Sequence, residues 1–201
     1  LNKGDKIAII GETGSGKTTL LNLIGSLLYP ESGKIIINNN LELDYSSNIR
    51  KNIGYVSQSV YLSDRSILFN ITFKDEIIDE EMKDLMIVLK NLSLSKINNQ
   101  PIDLKSSIGE RGSKLSGGQI QRIGIARALF RDPSILILDE ATNALDNETE
   151  TKILDYIFKK LENKIVVLCT HKKDLIKYCN KIIEVKNNEI NIISNTKYQK
   201  S

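Results

Sequence analysis

The sequence predicts an α/β fold, with a mostly parallel sheet, helices on its faces and a helical subdomain inserted into it. Three observations carry that expectation. Short apolar, β-branched runs recur along the chain, helical stretches alternate with them, and between residues 60 and 130 the strand pattern fades while the helical one dominates. Strands alternating with helices imply parallel pairing, because each return to the sheet needs a crossover. The strands are expected at residues 6–10, 34–37, 53–56, 135–138, 164–169 and 181–185. Several are continuous apolar runs, as strands covered on both faces are. Helices are expected at 17–28, 79–91, 117–130, 147–161 and 173–179, and residues 195–201 read as a solvated tail.

The chain has 201 residues, 40% hydrophobic and 26% charged, enough apolar material for the core of one globular domain. Lys and Arg number 28 against 25 Asp and Glu, a net +3 that is far from the concentrated basic excess of a dedicated nucleic-acid binder but is itself uninformative about partners; no nucleic-acid partner is expected of the chain. No run approaches the roughly 20 apolar residues that span a bilayer, and the start lacks the features of a signal peptide. Cys169 and Cys179 lack metal-ligand spacing, and Cys169 lies inside an apolar run, so two unlinked thiols are expected. Because residue 1 is Leu and the first strand starts almost at once, the sequence is expected to be a piece of a longer chain.

The first strand runs into "GETGSGKTT", residues 11–19. Gly11, Gly14, Gly16, Lys17 and Thr18 complete the pattern GxxxxGK[ST] between a strand and a helix, the context in which this loop cradles phosphates. Its glycines let backbone N–H groups of Gly11, Glu12, Thr13, Gly14, Ser15 and Gly16 wrap a phosphate, and the helix start adds positive partial charge. Lys17 can reach the outer phosphates, and Thr18 offers Mg²⁺ a hydroxyl, with Thr19 beside it. A P-loop NTPase core is therefore expected.

The apolar run 135–138 ends in two acids, Asp139 and Glu140. Ligands of open α/β sheets sit at the carboxyl ends of strands, so this pair is expected beside the P-loop. Asp139 would hold Mg²⁺, and Glu140 would orient or deprotonate an attacking water.

Further on stands "LSGGQIQR", residues 115–122. Ser116 and Gln119 have the spacing of a capping box. Gly117 and Gly118, which weaken a helix by up to about 1 kcal/mol each relative to alanine, make sense if a phosphate approaches the bare N–H groups. With this motif between a P-loop and an acid-tipped strand, the chain resembles the nucleotide-binding domain of an ABC ATPase, from Lys6 to Val185. The resemblance implies residues 1–59 and 131–195 as a RecA-like core and 60–130 as the helical signature subdomain. It implies ATP and Mg²⁺ as ligands, and head-to-tail pairing with a second copy. Each ATP would then lie between the P-loop of one copy and Ser116, Gly117, Gly118 and Gln119 of the other.

By the same resemblance, Gln58 in "YVSQS" is the Q-loop glutamine that meets Mg²⁺ and the water. "NALD", ending in Asp146, is the D-loop, with Asn143 where the family usually has serine, and Asp146 also has the composition of a helix cap. His171, the single histidine, is the residue that contacts the γ-phosphate. The aromatic residue that the family stacks on adenine lies upstream of the P-loop strand, before Leu1.

The "GERG" of residues 109–112 resembles the X-loop of exporters, and residues 61–73, with a Ser-Ile-x-x-Asn-Ile core at 66–71, resemble the exporter segment after the Q-loop. An exporter implies a membrane domain fused N-terminally, a half-transporter acting as a dimer, and a place on the cytoplasmic face of the cell (inner) membrane. The alternative is an ATPase subunit of another ABC system, an importer or a soluble non-transport protein. The stretch between Lys17 and Leu115 is too short for the coiled coil of a DNA-repair ABC protein. Lys17, Glu140 and His171 are all present, which argues against an inactive regulatory domain.

Overall fold

Consecutive residues in the central strands are buried, so the sheet is covered on both faces. The computed structural model describes residues 1–37, 41–42, 48–97, 100–186 and 189–194. The elements run β1 (Lys6–Gly11), α1 (Lys17–Ile24), β2 (Ile36–Ile37), β3 (Leu41–Glu42), β4 (Ile53–Val56), α2 (Ile67–Thr72), α3 (Asp79–Asn91), β5 (Lys96–Ile97) and β6 (Gln100–Pro101). They continue with α4 (Gly117–Phe130), β7 (Ile135–Asp139), α5 (Asn147–Lys160), β8 (Ile165–Cys169), β9 (Lys181–Lys186) and β10 (Glu189–Ser194).

The main sheet has the order β10-β9-β1-β8-β7-β4. Every neighbouring pair is parallel except β10 with β9. The two-residue period of the strands sorts their side chains into two cores. Ile7, Ile9, Ile137, Val167 and Cys169 pack with Leu21 of α1 on one face. Ala8, Leu136, Leu138, Val166 and Leu168 face the other way, into a larger core shared with α2, α3, α4 and α5. That core runs without interruption from the sheet through Ile125 and Ile123 to Leu85 and Leu89, so the inserted helices are braced directly on the sheet.

Local chemistry explains the helix limits. α3 opens with Asp79, Glu80 and Glu81 and carries Lys90 in its last turn, matching the helix dipole, while Leu85, Val88 and Leu89 form its buried stripe. α2 and α5 are capped by Ser66 and Asp146, whose side chains accept the N–H of Phe69 and Thr149. α1 stops at Ile24, short of the expected residue 28. Ser26 turns into the left-handed region at φ 56° and the Leu27 N–H reaches back to Asn22 O at 2.8 Å, a local closure that ends the helix. The expected helix at 173–179 is a 3-10 turn, Lys173–Tyr178. The expected strand at 34–37 pairs only at Ile36–Ile37, and β10 and α2 were not anticipated as separate elements. The tail at 195–201 lies outside the described residues. Cys169 is buried, as expected, and Cys179 is buried too; the two form no disulfide.

Candidate active site

The parallel sheet points the carboxyl ends of β1, β4, β7 and β8 to one edge, and the candidate residues follow those ends. Gly11 closes β1, Gln58 follows β4, Asp139 ends β7 with Glu140 next, and His171 follows β8. β8 lies between β1 and β7, in register with both, with Ile9 beside Cys169 and Cys169 beside Asp139.

The P-loop wraps between β1 and α1. Gly14 and Gly16 have φ of +81° and +100°, a region that side-chain-bearing residues rarely enter, and a Cβ at either would meet nothing within 4 Å. Backbone handedness, not space, is the reason for glycine there. Glu12, Thr13, Thr18 and Thr19 are exposed. Lys17 is 7% exposed, and its Nζ donates to Gly11 O at 3.0 Å and to Glu12 O at 2.7 Å. An ammonium has three donors, so one remains for a ligand oxygen. The buried Ser15 Oγ has no hydrogen-bond partner. A buried, orphaned hydroxyl in this loop fits one built around an anion.

Asp139 is 7% exposed, and its Oδ2 accepts the hydroxyl of Tyr55 at 3.1 Å. Burial, together with the Asp139 charge and its hydrogen bond, pushes the Tyr55 hydroxyl far above its ordinary pKa, so Tyr55 stays a donor. Glu140 adopts φ 51°, unusual for a residue with a side chain, while its N–H still bonds Cys169 O at 3.2 Å. The chain thus leaves the sheet sharply at Glu140. Its carboxylate collects three side chains. His171 Nε2 lies 3.0 Å from Oε1, Gln58 Nε2 donates to Oε2 at 3.2 Å, and Asn143 Nδ2 donates to Oε2 at 2.9 Å. Next to His171, Lys172 Nζ grips both oxygens of the buried Glu150 at 3.0 and 2.8 Å.

Ser116, Gly117, Gly118 and Gln119 sit at the start of α4. The capping box is complete, with Gln119 N donating to Ser116 Oγ at 3.2 Å and Ser116 N to Gln119 Oε1 at 2.7 Å. These two residues therefore bond each other and not the P-loop. Gly118 has a reason inside the chain that its sequence did not disclose, because a Cβ there would stand 3.1 Å from Ala144 O. At Gly117 the nearest atom to such a Cβ would be Ala144 Cβ at 3.7 Å, an ordinary contact. Asp146 caps α5, and the N–H of Thr149, with its hydroxyl, holds the Asp146 carboxyl below the usual range.

Thr18, Gln58 and Asp139 would supply a hydroxyl, an amide carbonyl and a carboxylate, the hard oxygen donors that suit Mg²⁺ when phosphates and waters complete the shell. Among the described residues no cluster of three His, Cys, Asp or Glu side chains forms a metal cage, and no helix is long and apolar enough to cross a membrane. Sequence reasoning missed Tyr55, which it quoted only as a neighbour of Gln58, and gave Asn143 no role. Gln121, whose Oε1 accepts the Ala144 N–H at 2.9 Å, carried no signal either.

A family model described as ABC transporter matches residues 1–143. The chain is 40% identical over 185 residues to an ATP-dependent lipid A-core flippase 2 of Colwellia psychrerythraea, covering 90% of this chain and 31% of that protein. It is 38% identical over 192 residues to the alpha-hemolysin translocation ATP-binding protein HlyB of Escherichia coli O157:H7, covering 93% of this chain and 26% of that one. A solved structure of a bacterial Atm1-family ABC exporter with ATP bound superposes with a TM-score of 0.85 at 29% identity, over 97% of this chain and 34% of that one. The chain thus spans between 26% and 34% of the length of these proteins.

Proposed function

This chain belongs to the ABC transporter family, and from that premise we propose that it is the ATP-binding and ATP-hydrolysing domain of an exporter. Two copies pair head to tail around two ATP molecules and drive a membrane domain, joined N-terminally in the full-length polypeptide, at the cytoplasmic face of the inner membrane. Residues 1–59 and 131–195 form the nucleotide core, and 60–130 form the signature subdomain. The observation that carries the reading is the Glu140 carboxylate, gathered with Gln58 and His171 at the strand ends that also bear Lys17 and Asp139.

The phosphates of ATP lie in the P-loop, where the remaining Lys17 donor and Ser15 Oγ meet their oxygens. Thr18, Asp139 and Gln58 would hold Mg²⁺, which would neutralise part of the phosphate charge. Glu140 orients a water in line with the γ-phosphorus and accepts its proton. The water oxygen bonds to phosphorus as the bond to the bridging oxygen of ADP breaks, giving ADP and phosphate. His171 donates toward the γ-phosphate, and Ser116 and Gly118 of the second copy cover it from the other side. Catalysis here is positioning and charge stabilisation.

The test is Glu140→Gln in the full-length polypeptide. Loss of the proton-accepting carboxylate should lower hydrolysis by about 100-fold or more, while ATP still holds a stable dimer. Near-normal turnover would overturn the role of Glu140.

A further inference from the structure

Of the three donors on Glu140, only Gln58 and His171 have a place in the mechanism above; the third comes from a residue that resemblance treats as a bystander. Resting on the hydrolytic reading of Glu140, we propose that Asn143 is a positioning residue that pins Glu140 Oε2 and leaves Oε1, shared with His171, to take the attacking water. Asn143 Nδ2 makes the closest of the three contacts, 2.9 Å against 3.0 Å for His171 and 3.2 Å for Gln58. It also shapes the backbone beneath the carboxylate, since Asn143 N donates to Glu140 O at 3.3 Å and closes the turn that Glu140 begins at φ 51°. Asn143 therefore contacts both the backbone turn and the carboxylate of Glu140.

The turn is itself anchored from outside the nucleotide site. Directly after Asn143, the Ala144 N–H is held by the buried Gln121 Oε1 at 2.9 Å. Leu145 N then bonds Thr142 O at 3.0 Å, and Asp146 caps α5. Asn143 thus presents its amide from a backbone braced by α4 and α5, whereas Gln58 reaches Glu140 on a longer, more flexible side chain. A donor held in place by the fold orients a carboxylate without reorganising at the moment of reaction, which is what preorganised sites require. A serine at 143 would carry its donor one bond closer to the backbone and lose that reach.

The experiment compares Asn143→Ala, Asn143→Ser and Asn143→Asp with Glu140→Gln in the full-length polypeptide, measuring kcat, KM for ATP, affinity for a fluorescent ATP analogue and melting temperature. Removing one charge-assisted hydrogen bond should lower kcat about tenfold in Asn143→Ala, with KM, nucleotide affinity and melting temperature unchanged. Asn143→Ser should fall between that variant and the native chain. Asn143→Asp, which faces Glu140 with a second carboxylate, should fall below Asn143→Ala. Native kcat in Asn143→Ala and Asn143→Asp, with Glu140→Gln silent, would overturn the proposal and leave the hydrolytic reading standing. Losses in which KM rises and nucleotide affinity drops together would also overturn it, placing Asn143 in nucleotide binding. A fully active Glu140→Gln would remove the hydrolytic reading, and this proposal with it.

Discussion

Gln121 and Ala144 are joined by a hydrogen bond of 2.9 Å, from the Ala144 backbone N–H to a glutamine oxygen on a residue only 6% exposed. It ties the first turns of α4 to the loop after Glu140, and Gly118 makes the approach possible by having no Cβ to meet Ala144 O. The residues read as gripping a partner's nucleotide are thereby fastened to the loop that shapes the chain's own Glu140.

Replacing Gln121 by Leu keeps the volume but leaves the Ala144 N–H without its acceptor. Because Ala144 is itself exposed, the expected cost is about 1 kcal/mol of folding stability, read by urea denaturation of the purified chain. A stability within about 0.5 kcal/mol of native would mean that water or a rearranged loop satisfies the group.

Ser116→Arg places a long cation at the start of α4, where Ser116 bonds Gln119. ATP-dependent dimerisation should disappear while the monomer still binds nucleotide, which sedimentation and fluorescent-nucleotide titration would separate. Loss of binding by the monomer would put Ser116 in the same site as its own P-loop.

Lys172 neutralises Glu150, whose side chain is 4% exposed. Lys172→Met strands that carboxylate, and because the lysine is itself 33% exposed the penalty should be about 2 kcal/mol, below that of a fully buried pair. Thermal denaturation would show it, and Lys172→Met with Glu150→Leu should recover most of the loss. No change in the single variant would mean that water reaches the Glu150 carboxylate once the lysine is gone.

Both thiols should resist modification. Burial first, then the Asp139 charge, pushes Cys169 from an ordinary 9.0 up to about 12, and burial does the same to Cys179. A folded pKa above the unfolded one means that the native state holds protons the unfolded chain has lost. The contribution is therefore complete below pH 9 and is lost as pH rises from 9 toward 12. Stability should decline across that window, more gently in Cys169→Ala, and a thiol reagent at pH 8 should label neither cysteine before unfolding. Rapid labelling of the native chain would contradict their burial.

The strands of the central sheet and the limits of α3 and α4 were legible because their causes are local. Continuous β-branched runs, an acidic first turn and a Ser-x-x-Gln cap each act within a few residues. The P-loop was legible for the same reason, since glycine handedness and a lysine one turn away are properties of one short segment. The end of α1 was less so, because a left-handed serine followed by a back-bond to Asn22 leaves little mark in composition. β10 was missed because an edge strand needs pairing with only one neighbour and shows no run buried on both faces.

By itself the sequence determined which residue types are available for phosphate, metal and water, and the order in which a parallel sheet would bring them to one edge. Tertiary structure alone decided how they meet. The distances among Gln58, Asn143, His171 and Glu140 depend on strands far apart in the chain and on the turn at Glu140, and the link between Gln121 and Ala144 depends on the packing of a helix against a loop. Spacing along a chain encodes the periodicity of helices and strands, whereas contacts between remote elements are set by how their buried faces fit together, which no local pattern records.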